Sequence, residues 1–336
     1  MEISRGQWII IILLTLSFIG MAGFIPFVIA VVLSFVPAYL YLKSIRNAEE
    51  MDREPWSALR TTFVWGAVSG VFYSMIFNTA GGALAYVYSG NSEDLAFVIT
   101  AVVVAPIVEE FFKPLVLFRN AAVKGEIDEV EDGLVYGAAC GLGFGATENI
   151  LYGLSEGIVA GGITGLIILV VLRTVSSILL HLTATSFTGY GISRYIVNGE
   201  PFGVVVKYYL LAVFIHAAWN AAAVLASPFI LLFSILLAIG GLEFSKRRIR
   251  ELDLEGSNIQ AQSIRAVEGD IGDVWSQSRN KWEQKVDNRS GNTAAPIYES
   301  STESPASTMF QDIDWRQALG GGLFLLFILS DILFQN

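Results

Sequence analysis

Residues 106–114 read Pro106-Ile107-Val108-Glu109-Glu110-Phe111-Phe112-Lys113-Pro114. They lie inside an apolar run, Leu95 to Phe118, of membrane-spanning length. A charge at the bilayer centre costs at least about 2.5–3.5 kcal/mol on insertion scales, so such residues face inward and mark function. On a helix, Lys113 follows Glu110 by three positions and Glu109 by four, and both carboxylates reach it. One ammonium cannot neutralise two carboxylates. The excess acid needs a proton, a cation or a histidine, and the chain has only two histidines, His181 and His216, both in later apolar segments.

The rest of the composition agrees with a membrane setting. Of the 336 residues 54% are hydrophobic and 15% charged, against about 25% charged in ordinary soluble domains. The fold class is therefore all-α, a polytopic transmembrane helical bundle. The single cysteine, Cys140, excludes an intramolecular disulfide and a cysteine-based metal site. The net charge is −10, and twelve acidic against five basic residues between Glu251 and Trp315 account for −7 of it. Such a tail does not suit nucleic acid or an anionic lipid surface.

Apolar length and loop charge place about eight core spans. Residues 7–42 are too long for one span and break at Gly20, Gly23 and Pro26, giving 7–23 and 26–42. The first follows Arg5 without an A-x-A-like cleavage site and is read as a retained span. Lys43, Arg46, Arg53 and Arg60 make the next loop cytoplasmic, which puts the N-terminus on the same side. Spans near 61–83, 95–118 and 133–153 follow. The apolar region 158–196 counts as one long, tilted or broken span, because two would put the basic cluster Lys246 to Arg250 outside. Spans near 205–226 and 229–244 flank Pro228. The domain reading is 1–60, two N-terminal spans and a basic loop; 61–245, the catalytic membrane core; 246–316, a polar, acidic, largely disordered cytoplasmic tail with a short helix near 271–286; and 317–336, a C-terminal hydrophobic segment. In that segment, Ala318 to Phe334 after Gly320-Gly321-Gly322 is a ninth span, either a plain anchor or an element at the substrate entrance.

Four polar groups fall within the spans: Glu109-Glu110-x-x-Lys113; Glu148-Asn149; Arg173 with His181 two turns on; and His216 with Asn220 one turn on. Taken singly, each has a structural explanation: an ion pair, a side chain reaching the interface, an interhelical hydrogen bond. Together they predict that Glu109, Glu110, His181 and His216 share one cavity. The glycines Gly133, Gly137, Gly141 and Gly145, at four-residue spacing, predict a close-packing face. That face is expected against the fourth span, bringing Glu148 towards the carboxylate pair, with Gly141→Leu far more harmful than Cys140→Leu.

The blocks V-E-E-F-F-K (108–113), E-D-G-L-V-Y-G-A-A-C-G-L-G-F-G-A-T-E-N-I-L-Y (131–152), R-T-V-S-S-I-L-L-H (173–181) and H-A-A-W-N (216–220) resemble those of the PrsW family of intramembrane proteases. Arg53-Glu54-Pro55 is similar to that family's cytoplasmic R/N-E-P element, and the likeness covers about residues 25–245. The family is more distantly similar to CAAX prenyl-protein proteases, from which this chain departs at Glu148, where those have histidine, and at Lys113, one residue before their arginine. The resemblance implies an intramembrane endopeptidase of a prokaryotic plasma membrane, acting on membrane-anchored proteins such as anti-sigma factors.

For that chemistry Glu109 or Glu110 is the expected base, and His181 and His216 orient water or protonate the leaving amine. Asn220 is the expected oxyanion donor. Glu148 completes the catalytic set, with Lys113, Asn149 and Arg173 supporting. No cofactor is required by the sequence, and Zn²⁺ on Glu110, His181 and His216 stays open, since three protein ligands plus water form the catalytic zinc pattern. A proton- or cation-coupled transporter and a catalytically silent binder of membrane proteins are the alternatives. No internal repeat relates the halves, which counts against a transporter.

Overall fold

The computed structural model describes residues 3–225 and 232–256, with the single positions 229, 258 and 276. Among these the chain is helical, with no strand. Helices α1 (Arg5–Ala22) and α2 (Phe24–Arg46) meet at Gly23, whose φ of 89° suits only glycine. Helices α3 (Trp56–Val64) and α4 (Val71–Tyr88) are one crossing, joined by the π-helical turn Trp65–Gly70. Helices α5 (Glu93–Ile99), α6 (Ala105–Phe112) and α7 (Leu115–Arg119) form the next, interrupted by a π-helical segment, Thr100–Val104, and by Pro114. A short α8 (Ala121–Gly125) leads into α9 (Asp132–Tyr152), α10 (Ile158–Thr174), α11 (Ser177–Val197), α12 (Gly203–Val224) and a last helix, α13 (residues 232–256).

Six helical runs among the described residues are long and apolar enough to cross a membrane, and the longest, Asp132–Val197, contains an outward and a return path. The chain turns at Gly161 and Gly162, where Gly162 has φ 59°. From there α10 and α11 run back along α9 in one register. Gly133 abuts Gly189, Gly137 abuts Thr185, Gly141 abuts His181, Gly153 abuts Val170 and Gly157 abuts Leu166. The 158–196 region is thus one return path broken in two at Val175-Ser176, within reach of the polar groups.

The glycine face of α9 therefore packs on α11, not on the helix carrying Glu109 and Glu110. Lacking a side chain, Gly141 lets the α11 backbone approach so closely that a Cβ would run into the His181 carbonyl. The opposite side of α9 is closed as well: Cys140 is fully buried, and a Cβ on Gly66 would collide with its carbonyl oxygen. Leucine at 140 would overpack the core too, so the expected contrast with Gly141→Leu has no basis in the packing. Tyr136, Ala138, Ala139 and Leu142 are also fully buried, which makes α9 the axis of the bundle. On the outer surface large apolar side chains such as Leu16, Phe97, Val159 and Phe214 are exposed, as lipid contact demands.

The basic loops gather at one end. Ser193 Oγ donates to the Val130 carbonyl at 2.5 Å, Phe118 packs on Tyr195 and Phe202, and Arg250 pairs with Glu50 at 3.1 Å. Helix α13 continues to residue 256, past the boundary read at 245, with Ile249 and Asp253 fully buried. The chain break at Pro228, the tail helix near 271–286 and the ninth span at 318–334 lie outside the described residues.

Candidate active site

Adjacent residues on a helix point about 100° apart, so Glu109 and Glu110 on α6 address different neighbours. Glu109 turns towards α4, where Asn78 Nδ2 donates to its Oε1 at 3.1 Å. Glu110 turns towards α11 and α12: its Oε2 accepts from Thr185 Oγ1 at 2.9 Å, and its Oε1 lies 2.8 Å from His216 Nδ1. Lys113, fully buried, reaches between them. Its Nζ is 2.7 Å from Glu110 Oε1, 3.5 Å from Glu109 Oε2 and 2.8 Å from His181 Nδ1, and it lies 4.3 Å from the centre of the Phe144 ring. Pro114 ends α6 just beyond, and Trp65 Nε1 donates to the Phe112 carbonyl at 3.1 Å, holding the break.

The second half of the site comes from α9 and the broken return path. His181 Nε2 is 2.9 Å from Glu148 Oε2, which also accepts from Arg173 Nη2 at 2.7 Å. Arg173, at the C-terminal end of α10, stacks on Tyr152 and donates to Asn149 Oδ1 and Ser177 Oγ at 3.1 Å each. Asn149 in turn donates to the Val170 carbonyl and to Thr174 at 3.1 Å, where the helix break exposes α10. The His181 and His216 rings meet edge to face, centres 4.9 Å apart.

The four residues expected to converge do so, and Glu148 joins them through His181. Asn220 stands apart: its Nδ2 donates to the Ala101 carbonyl at 2.7 Å, in the π-helical segment Thr100–Val104, rather than to the carboxylate pair. Two partners escaped the sequence reading, Asn78 and Thr185. Thr185 lies one turn beyond His181 on the same face, and that i,i+4 spacing was the available signal. Asn78 is the lone amide in its crossing, and nothing in its spacing points to Glu109.

Charge at this depth does not balance. Glu109, Glu110 and Glu148 face Lys113 and Arg173, leaving one negative charge for a proton or a cation. The residues fit a metal. Glu109 Oε2 is buried without a hydrogen-bond partner, and ligand atoms of Glu109, His181 and His216 lie within 4.8 Å of one another. The carboxylate in that trio is Glu109, not Glu110 as expected, because both Glu110 oxygens are engaged. Each histidine also has one ring nitrogen held by a carboxylate, His181 by Glu148 and His216 by Glu110, the arrangement that orients metal-binding imidazoles. The second nitrogen of His181, Nδ1, lies 2.8 Å from Lys113 Nζ, so a metal on this trio takes the place of that contact.

A family model for the PrsW family intramembrane metalloproteases matches residues 54–240, more than half of the chain. The chain belongs to the PrsW family. Its matched region runs from Glu54 to the start of α13 and contains every polar group of the site. No curated protein and no solved structure matches the chain. Membership makes this an integral membrane protein of a protease family that is described as metal-dependent, and the buried Glu/His trio gives a metal a place to bind.

Proposed function

We propose that this PrsW-family chain hydrolyses peptide bonds of membrane-anchored proteins at the centre formed by Glu109, Glu110, His181 and His216. The convergence of both histidines on the paired glutamates is the observation that carries the reading. Glu110 is nine residues from Arg119, on the order of 13 Å along a helix axis and thus near mid-depth of a ~30 Å hydrocarbon core.

Glu110 is the base: with water in place of one of the groups now on its oxygens, it takes a proton from that water as the water oxygen bonds to the scissile carbonyl carbon. Lys113 faces the negative charge that develops on the carbonyl oxygen, in surroundings that water does not screen. The proton then passes, through Glu110 or the adjacent His216, to the leaving amine as the C–N bond breaks. Thr185 and Lys113 hold Glu110 in place, and Asn78 does the same for Glu109. Glu148 and Arg173 fix His181. Zn²⁺, when held by Glu109, His181 and His216, supplies Lewis acidity and a water of lowered pKa.

A substrate helix must reach this centre sideways. Behind the two histidine-bearing helices an apolar cavity of about 340 Å³, lined by Leu180, Thr183, Ile215 and Trp219, lies between α11, α12 and α13. These are sequence neighbours of His181 and His216, and weakly helical, glycine-containing segments suit such a route because their peptide bonds open at low cost.

The test uses full-length protein in detergent with a membrane-anchored peptide reporter. Cleavage by the wild type and its loss in Glu110→Gln and His216→Ala are expected. Loss on chelation and return with Zn²⁺ would mark the metal-dependent form, and cleavage that survives in Glu110→Gln would overturn the assignment.

A further inference from the structure

A second cluster of buried acids lies at the basic end of the bundle, outside the catalytic centre. The loop after α2 contributes Glu49 and Glu54, and the start of α9 contributes Asp132; ligand oxygens of the three lie within 4.8 Å of one another, and all are buried. A second trio, Glu129, Glu131 and Asp253, adjoins it. Several of these groups are committed to the backbone. Asp132 Oδ2 accepts from the amides of Asp128 and Glu129 at 2.9 and 2.7 Å, and Glu49 Oε2 accepts from the Glu54 amide at 3.0 Å. Asp253, on α13, accepts from the amides of Glu50, Met51 and Asp52 at 2.7–3.4 Å.

Two oxygens are left over. Glu49 Oε1 and Glu131 Oε1 are buried with no hydrogen-bond partner, in residues 0% and 3% exposed. Two arginines of the same loop region direct their Nε atoms to the backbone: Arg46 Nε donates to the Glu54 carbonyl and Arg53 Nε to the Glu49 carbonyl. An unpaired buried carboxylate oxygen carries a desolvation cost that a proton or a cation removes. A cavity of about 80 Å³, lined by Arg53, Glu54, Glu126, Asp128 and Asp132, opens the Glu54 and Asp132 side of the cluster to water; Glu49 lies behind it.

We propose that Glu49, Glu54 and Asp132 form a binding site for a hard divalent cation of the Ca²⁺ or Mg²⁺ type, independent of the proteolytic centre. The donor set is all oxygen and all carboxylate, which such ions prefer and zinc does not. The ion fastens the loop after α2 to the first turn of α9. Asp253 already ties α13 to the same loop, so one ion holds three parts of the bundle end. Tyr136, whose hydroxyl donates to Glu54 Oε2, stands beside the ion as a built-in reporter.

Tb³⁺ tests this as a Ca²⁺ substitute, its luminescence sensitised by Tyr136, on full-length detergent-purified protein. The expected result is Tb³⁺ emission that Ca²⁺ or Mg²⁺ displaces. Glu49→Gln and Asp132→Asn should each weaken that binding, on the order of tenfold or more. Glu109→Gln, in the membrane centre, should leave it unchanged, which separates this site from any metal used in proteolysis. Both cluster variants keep side-chain size and remove a buried charge, and size-exclusion profiles check that they fold. Wild-type melting with and without Ca²⁺ in chelator-treated protein gives a readout that needs no variant, and a rise with Ca²⁺ is expected. Absence of both emission and melting shift, or a signal unchanged in both cluster variants, would mean that protons alone neutralise the cluster and would overturn the proposal.

Discussion

Gly141→Ala puts one methyl group where two helices touch. Its carbon would lie 2.6 Å from the carbonyl carbon of His181 and 2.9 Å from the amide nitrogen of Leu182. The His181 carbonyl oxygen would lie nearer still, and ordinary contacts begin near 3.4 Å, so α11 must retreat by about 1 Å at the residue that carries the imidazole. Two stability effects oppose each other. Alanine gains about 1 kcal/mol of helix propensity over glycine, and overpacking costs about 1–3 kcal/mol. The net loss of stability is thus at most about 2 kcal/mol. Activity is the sharper readout, because misplacing a catalytic group by about 1 Å costs on the order of 100-fold. Cleavage of a membrane-anchored reporter by Gly141→Ala should fall by about that factor in kcat/KM. Gly161→Ala is the control: its φ of −177° suits any residue, and nothing lies within 4 Å of the added carbon. Equal activity of the two variants would refute the claim that the glycine face sets the position of His181.

Three further outcomes follow from the site. Lys113→Met leaves Glu110 and Glu109 buried without their cation, which costs about 3–5 kcal/mol, so the protein should lose its monodisperse profile in detergent, and adding Glu109→Gln should restore part of it. Thr185→Val removes the hydroxyl that donates to Glu110 Oε2, and kcat should drop by roughly tenfold while Thr185→Ser retains activity, since one hydrogen bond to a charged group is worth about 1.5–3 kcal/mol. Arg173→Lys should inactivate nearly as fully as Arg173→Leu in the same cleavage assay. A lysine cannot serve Glu148, Asn149 and Ser177 at once from the flat face that stacks on Tyr152.

What the sequence disclosed here was the chemistry that the bilayer makes costly. Glu109, Glu110, Lys113, His181 and His216 stand out because each is charged or polar at a depth where such groups need partners, and the structure unites them. Spacing also showed that the glycines of α9 form one face. It could not show which helix lies on that face, because the Gly161-Gly162 reversal lays α10 and α11 along α9 by a turn that hydropathy does not register. Asn220 illustrates another limit. Its i,i+4 relation to His216 shares a helix face, yet the Ala101 carbonyl in a π-helical segment draws its amide away. Helix α13 exceeded the predicted boundary for a similar reason: its last turns are polar, and only the backbone amides of Glu50 to Asp52 show why Asp253 is buried there.

The out-and-back register of α9 with α10 and α11 also bears on how the protein is made. Every pairing in it joins residues between Gly133 and Ser193, close together in the chain, so it closes without waiting for distant segments. Synthesis runs from the N-terminus, so Glu109, Glu110 and Lys113 are already in the membrane when that hairpin brings His181 and Glu148 to them. His216 is the last member to arrive, on α12. Until then Glu110 has Lys113 and Thr185 but no imidazole on its Oε1. The nascent chain therefore carries this polar cluster without His216 through most of its insertion, and on the proposed mechanism cleavage would begin only once α12 is in place.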